Sequence, residues 1–112
     1  MLFRSGTAPE WFEFNDKPVI FCDIDGTIIK NQGRIGKNNY LDDPVPLEKN
    51  IKRLLKLQSE GAQFVFTTAR PTEFESRTKG MLFRLGFSNF TLLCGLQNAR
   101  RILINDYNKT NP

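Results

Sequence analysis

Three aspartates and a threonine carry the residue types from which chemistry could be built: Asp23, Asp25, Thr68 and Asp106. Asp23 and Asp25 stand two apart in Asp23-Ile24-Asp25-Gly26-Thr27, directly after an apolar run. Two carboxylates held close together are costly unless a cation or a proton neutralises them. Asp23 and Asp106, with a backbone carbonyl near Asp25, make a hard all-oxygen set suited to Mg²⁺. A carboxylate is also a nucleophile toward phosphorus and forms an aspartyl phosphate. A second carboxylate two residues on can protonate the leaving oxygen and later activate water. Gly26 permits a sharp turn, so N–H groups around it, Thr27 among them, can face a phosphate. Thr68 is expected to offer that phosphate a hydroxyl and an N–H.

The elements that must position these residues follow from the apolar pattern. Residues 19–22 form a continuous β-branched and aromatic run that fits a strand buried on both faces, as in a parallel sheet. Residues 30–46 are rich in Gly, Asn, Asp and Pro and read as a loop. Leu47, Ile51, Leu54 and Leu55 then repeat on one helical face. Pro46 suits the first position of that helix and Gly61 its end. Residues 63–67 read as a second strand. Thr72 with Glu75 reads as a capping box opening a second helix. Phe74, Met81, Leu82 and Leu85 are its inner stripe, and Gly86 closes it. Residues 90–93 and 101–106 read as third and fourth strands. Alternating strands and helices predict a parallel α/β sheet. Ligands bind such sheets outside the carboxyl ends of the strands. Asp23 and Asp25, Thr68 and Asp106 each follow or end a strand, so residues distant in the chain converge on one edge.

Composition narrows the chemistry. The chain has 112 residues and no histidine. This excludes Ser-His-Asp and Cys-His catalysis, His-ligated zinc and a histidine proton shuttle. The two cysteines, Cys22 and Cys94, lack CxxC spacing, and Cys22 reads as a buried small hydrophobe. Sixteen basic against twelve acidic residues give +4, with the basic residues dispersed. That balance suits an anionic ligand without marking a nucleic-acid binder. No apolar stretch has secretory or membrane-spanning length, which leads us to expect a soluble cytoplasmic protein. The expected organisation is one domain over residues 1–112, with residues 1–18 an irregular lead-in that packs Trp11, Phe12 and Phe14 on the body.

Three stretches together resemble the phosphatase branch of the haloacid dehalogenase superfamily. They are Val19-Ile20-Phe21-Cys22-Asp23-Ile24-Asp25-Gly26-Thr27, Phe64-Val65-Phe66-Thr67-Thr68-Ala69-Arg70-Pro71 and Ile102-Leu103-Ile104-Asn105-Asp106. The resemblance implies a three-layer Rossmann-like core and Mg²⁺-dependent phosphoryl transfer. By it, Asp23 looks like the nucleophile, Asp25 the general acid/base, Thr68 the phosphate-binding hydroxyl and Asp106 the acidic metal ligand. Asp23, Asp25 and Asp106 together form the implied metal set. Dehalogenating members lack the second aspartate, so Asp25 points to phosphate chemistry.

The sequence departs from the family pattern in two ways. The lysine usual after the third strand is missing from residues 94–99; Arg101 or Arg100 is the expected replacement, with Lys79 behind them. The sequence also stops six residues past Asp106, where a family core continues with another strand, so it reads as a minimal or shortened core. The segments 28–46 and 94–100 are too short for a cap domain. A capless, open site suits a large substrate such as a nucleic-acid end, a phosphoprotein or a bulky phosphosugar, or a small one lidded by a neighbouring subunit. Because the basic residues form no stripe, a phosphorylated metabolite such as a sugar phosphate is favoured, with the Lys30, Arg34, Lys37 and Tyr40 loop on the active edge. Three further readings remain: a phosphate- or nucleotide-binding module without turnover, a nucleic-acid-end phosphatase, and, least favoured, a nucleic-acid-binding domain. A homo-oligomer in which a neighbouring subunit serves as lid is compatible with the same pattern.

Overall fold

The computed structural model describes residues 17–31 and 43–105. Residues 1–16, Arg34, Lys37, Tyr40 and Asp106 lie outside the described residues. Three parallel strands form the sheet: β1 (Val19–Asp23), β2 (Gln63–Thr67) and β3 (Phe90–Leu93), in spatial order β1-β2-β3. Two helices make the connections, α1 (Glu48–Ser59) and α2 (Glu75–Leu85). The register runs Val19 opposite Gln63 through Asp23 opposite Thr67, then Phe64 opposite Phe90 through Thr67 opposite Leu93. The three strands therefore end level with one another.

Side chains alternate across a strand, and here the alternation separates a covered face from an open one. Cys22, Phe64, Phe66 and Leu92 are buried with Ile51 of α1 and with Met81 and Leu82 of α2 in one core. Phe64 and Phe66 stack with ring centroids 5.5 Å apart, and Phe87 meets both edge-on at 5.3 and 5.0 Å. Such offset and edge-to-face pairs add to the area that aromatic rings bury.

The opposite face bears Val19, Phe21 and Leu93, which are exposed. The expectation of a first strand buried on both faces is thus corrected. Of the expected three layers, the described residues supply the sheet and the helices of one face. A continuous apolar run reports only that no position is polar; it does not say what covers each side. The expected fourth strand is also corrected. Residues 101–105 adopt no strand, and Ile102, Leu103 and Ile104 are exposed.

The glycines end the helices as expected. Gly61 has φ +104°, its N–H bonds to the Gln58 carbonyl, and the Ala62 N–H reaches back to Leu57. Gly86, at φ +110°, closes α2 in the same way, with the Phe87 N–H on the Leu82 carbonyl. Both are the double-bonded helix ending that requires a left-handed residue. The helix starts differ from expectation. Leu47, without a side-chain cap, precedes α1, and Pro46 instead bridges Ile29 in antiparallel fashion. There is no Thr72–Glu75 capping box. Residues Thr72–Phe74 form a 3₁₀ turn closed by the Phe74 N–H on the Pro71 carbonyl, 2.9 Å, so Thr72 lies inside a turn and does not stand ahead of the helix.

Candidate active site

Because the strands end in register, Asp23 and Thr67 face each other across the carboxyl edge. Asp23 is exposed. It lines a depression of about 490 Å³ together with Phe21, Thr67, Arg100, Arg101, Ile102 and Leu103. A second depression, about 390 Å³, brings Asp23 together with Thr27, Asn50 and Arg53. Cys22, one residue earlier, is buried, and desolvation with the charge of Asp23 pushes its thiol up to about 11. It is a core residue, as expected, and no nucleophile.

The chain after Asp23 turns back on itself. The N–H groups of Thr27, Ile28 and Ile29 all bond to the Ile24 carbonyl, and that of Gly26 bonds to the Ile29 carbonyl at 2.7 Å. Gly26 adopts φ +89°, the left-handed region that a glycine permits. The sharp turn is therefore as expected, but the N–H groups of Gly26 and Thr27 hold the loop closed and do not face outward. Asp25 forms a parallel bridge with Ile29 through the Ile24 carbonyl and the Gly26 N–H. Asp25's own N–H and C=O stay outside that bridge. From α1, Asn50 Nδ2 donates to the Thr27 carbonyl at 2.8 Å and ties the helix to the turn.

Thr68 is fully buried at the end of β2. Its N–H donates to Leu93 at 3.0 Å, so the sheet ladder takes the amide that was expected to meet a phosphate. Its Oγ1 accepts from the Arg70 N–H at 3.0 Å, which leaves the hydroxyl proton for another acceptor.

Arg70 holds the most developed polar contact of the region. Its Nε donates to Asp25 Oδ2 at 3.0 Å and its Nη2 to Asp25 Oδ1 at 2.9 Å, a two-pronged charge-assisted pair. Its Nη1 donates to Thr78 Oγ1 of α2 at 3.2 Å. The Arg70 side chain is 6% exposed and that of Asp25 21%. In the sequence Arg70 stands inside the second motif with no role of its own, and Thr78, Asn50 and Arg53 carry no functional signal. A buried guanidinium needs an acid partner, but nothing in the spacing of positions 25 and 70 announces which.

Of the residues expected to replace the lysine, Arg100 and Arg101 do share the Asp23 depression. Arg101 Nη1 also donates to the carbonyls of Gln97 and Ala99, which anchors it to its own loop. Lys79 pairs with Glu75 one turn back on α2 at 3.5 Å and does not line either depression. Lys30 is exposed, with its N–H on the Val45 carbonyl. Among the described residues no group of three His, Cys, Asp or Glu side chains could hold a metal ion. Exposed Asp23 presents its carboxylate as a hard oxygen donor, and the Asp25 carbonyl lies outside the Asp25–Ile29 bridge.

A family model of haloacid dehalogenase-like hydrolases matches residues 20–80, more than half the chain. The chain belongs to the haloacid dehalogenase-like hydrolases. The match takes in β1 from Ile20, the turn with Asp25, α1, β2, the following Thr68 and Arg70, and α2 as far as Gly80. This haloacid dehalogenase-like hydrolase matches no curated protein and no solved structure. No helix among its described residues is long and apolar enough to cross a membrane.

Proposed function

We propose that this haloacid dehalogenase-like hydrolase is a Mg²⁺-dependent phosphomonoesterase acting on a phosphorylated metabolite such as a sugar phosphate. One observation carries the reading. An exposed aspartate ends the first strand in a depression with two arginines, and a second carboxylate two residues on is held in a fixed orientation. In the proposed reaction the Asp23 carboxylate attacks phosphorus and the ester P–O bond breaks. Asp25 gives its proton to the departing oxygen. Asp25 then takes a proton from water, which attacks the aspartyl phosphate; phosphate leaves and the Asp23 carboxylate is restored. The Thr68 hydroxyl donates to a phosphoryl oxygen, and Arg101 or Arg100 supplies positive charge from the facing loop. An arginine offers a planar fork in place of the compact charge of a lysine.

The cation would be held by the Asp23 carboxylate, the Asp25 carbonyl and Asp106. Bound there, Mg²⁺ supplies charge that screens the attacking carboxylate from the phosphate dianion. Gly26 and Thr27 contribute by shaping the turn that carries Asp25.

The test is hydrolysis of p-nitrophenyl phosphate and a panel of sugar phosphates and nucleotides, with and without Mg²⁺. We expect Mg²⁺-dependent release of phosphate that Asp23→Asn lowers by roughly 10³-fold or more, as loss of a nucleophile does. Turnover that survives Asp23→Asn, or none at all, overturns the reading. A second reading, a phosphate-binding module without turnover, draws on both Asp25 oxygens being occupied by Arg70. It predicts Mg²⁺-dependent phosphate binding without product. An oligonucleotide with a phosphorylated end belongs in the panel to test the nucleic-acid-end alternative.

A further inference from the structure

We propose that Arg70 is the positioning residue for Asp25, and that its two-pronged hold locks the carboxylate in the orientation that proton transfer needs. The inference rests on the phosphatase reading above. Arg70 is itself fixed at every level. Its backbone N–H is tied to Thr68 Oγ1, and its carbonyl accepts from the Gly95 N–H at 2.7 Å, in the turn after β3. Its guanidinium plane is set by fully buried Thr78 of α2. The fork therefore meets Asp25 already oriented, and the loss of side-chain freedom has been met by the fold before any ligand arrives.

The contact has a directional consequence. Asp25 Oδ1 and Oδ2 both accept from Arg70. Each oxygen keeps a second lone-pair site, so one of them can carry the transferable proton while the fork keeps the carboxylate in line. A lysine has no second prong and would hold the carboxylate at one point only. Arg70 also joins Thr68 and Asp25 through a single residue. The phosphate-side hydroxyl and the proton-transfer carboxylate thus keep a fixed spacing, although 43 positions of chain separate them. Small misplacements of such groups are costly to rate.

The experiment compares two aryl esters. p-Nitrophenolate departs with little help from a proton, whereas phenolate needs one. Removing the positioning of Asp25 therefore harms phenyl phosphate more. For Arg70→Met we expect kcat/KM, which reports the step that expels the alcohol and not the hydrolysis common to both esters, to fall about 100-fold on phenyl phosphate and about tenfold on p-nitrophenyl phosphate. Arg70→Lys should recover part of the phenyl phosphate rate. Thr78→Val, which keeps the side-chain shape and removes only the orienting oxygen, should show the same unequal loss in milder form. It also covers the case in which Arg70→Met fails to fold, as judged by circular dichroism. In an Asp25→Asn background Arg70→Met should cost nothing further, since the group it positions is gone.

Equal losses on the two esters, or losses that simply add in the double variant, overturn the positioning role while leaving the phosphatase reading intact. Absence of Asp23-dependent turnover in the unaltered protein overturns both. A further readout is independent of turnover: the Arg70 Nε–H proton should exchange slowly in NMR spectra and quickly in Asp25→Asn. Rapid exchange in the unaltered protein would show that no lock exists.

Discussion

Cys22 stands one residue before the proposed nucleophile, and its thiol lies in the core with Sγ 3.2 Å from the Asp23 carbonyl. Burial and the neighbouring carboxylate raise its pKa from 9.0 to about 11. Between those values the unfolded chain carries a thiolate while the folded chain keeps its proton. The folded state therefore binds more protons there, and stability falls as pH rises from 9 toward 11. The loss attributable to this thiol should be roughly 2 kcal/mol. Urea midpoints at pH 8 and pH 10.5, measured in the unaltered protein and in Cys22→Ala, check it: the extra fall should be absent from the variant. At this scale the sequence was informative about type and uninformative about partners. Asp23, Asp25 and Thr68 stand out because their chemistry and spacing mark them. The bond from Thr68 N–H to Leu93 and the fork from Arg70 to Asp25 depend on strand pairing and on burial, neither of which spacing encodes.

The elements show which patterns determine structure and which only permit it. Helix ends were legible, because a glycine in the left-handed region is a backbone demand that few other residues meet. At Gly86 an added Cβ would meet Leu55 side-chain carbons at 3.2 and 3.3 Å, so Gly86→Ala adds crowding to backbone strain. We expect a loss of about 1–3 kcal/mol. Gly80 lies within α2, where an added Cβ meets only the far end of Arg84 at 3.2 Å. Gly80→Ala should accordingly stabilise by about 0.5–1 kcal/mol. Thermal melts of the two variants should move in opposite directions. The faces of the sheet offer a matching contrast. Phe66→Ala, on the covered side among Phe64, Phe87 and Phe90, should cost about 3–5 kcal/mol. Phe21→Thr, on the side where Phe21 is 54% exposed, should cost less than about 1 kcal/mol. Denaturant titration of both variants checks the difference. Residues 19–22 and 102–104 read alike as apolar runs, and only the former pairs into the sheet. Periodicity reports what a segment can bury; it does not say that a neighbour is present to receive it.

Across the whole molecule, the alternation of strand and helix was enough to give the parallel sheet, while its order came from the structure. What it left open was coverage, because whether a face is packed depends on segments that are distant in the chain. The gathered edge makes a prediction for the molecule as a unit. A ligand bound only by the folded state stabilises it by mass action, by about 2.7 kcal/mol at a hundredfold excess over Kd. Mg²⁺ with inorganic phosphate should therefore raise the melting temperature by several degrees for a domain of this size. Asp23→Asn should abolish that rise, and a rise that persists would place the phosphate elsewhere. The level ending of the strands has one more consequence, which concerns length and not residue type. Opposite Asp23 stands Thr67, and the faces of β2 alternate with it. Deleting Gln63 while the strand keeps its starting point would turn Val65 inward and Phe64 and Phe66 outward, and would draw Thr68 back from the edge by about 3.3 Å. Core and chemistry thus share a single phase. Over generations, insertions and deletions can accumulate in the connections between these strands, while the strands themselves are free to change letters but not count.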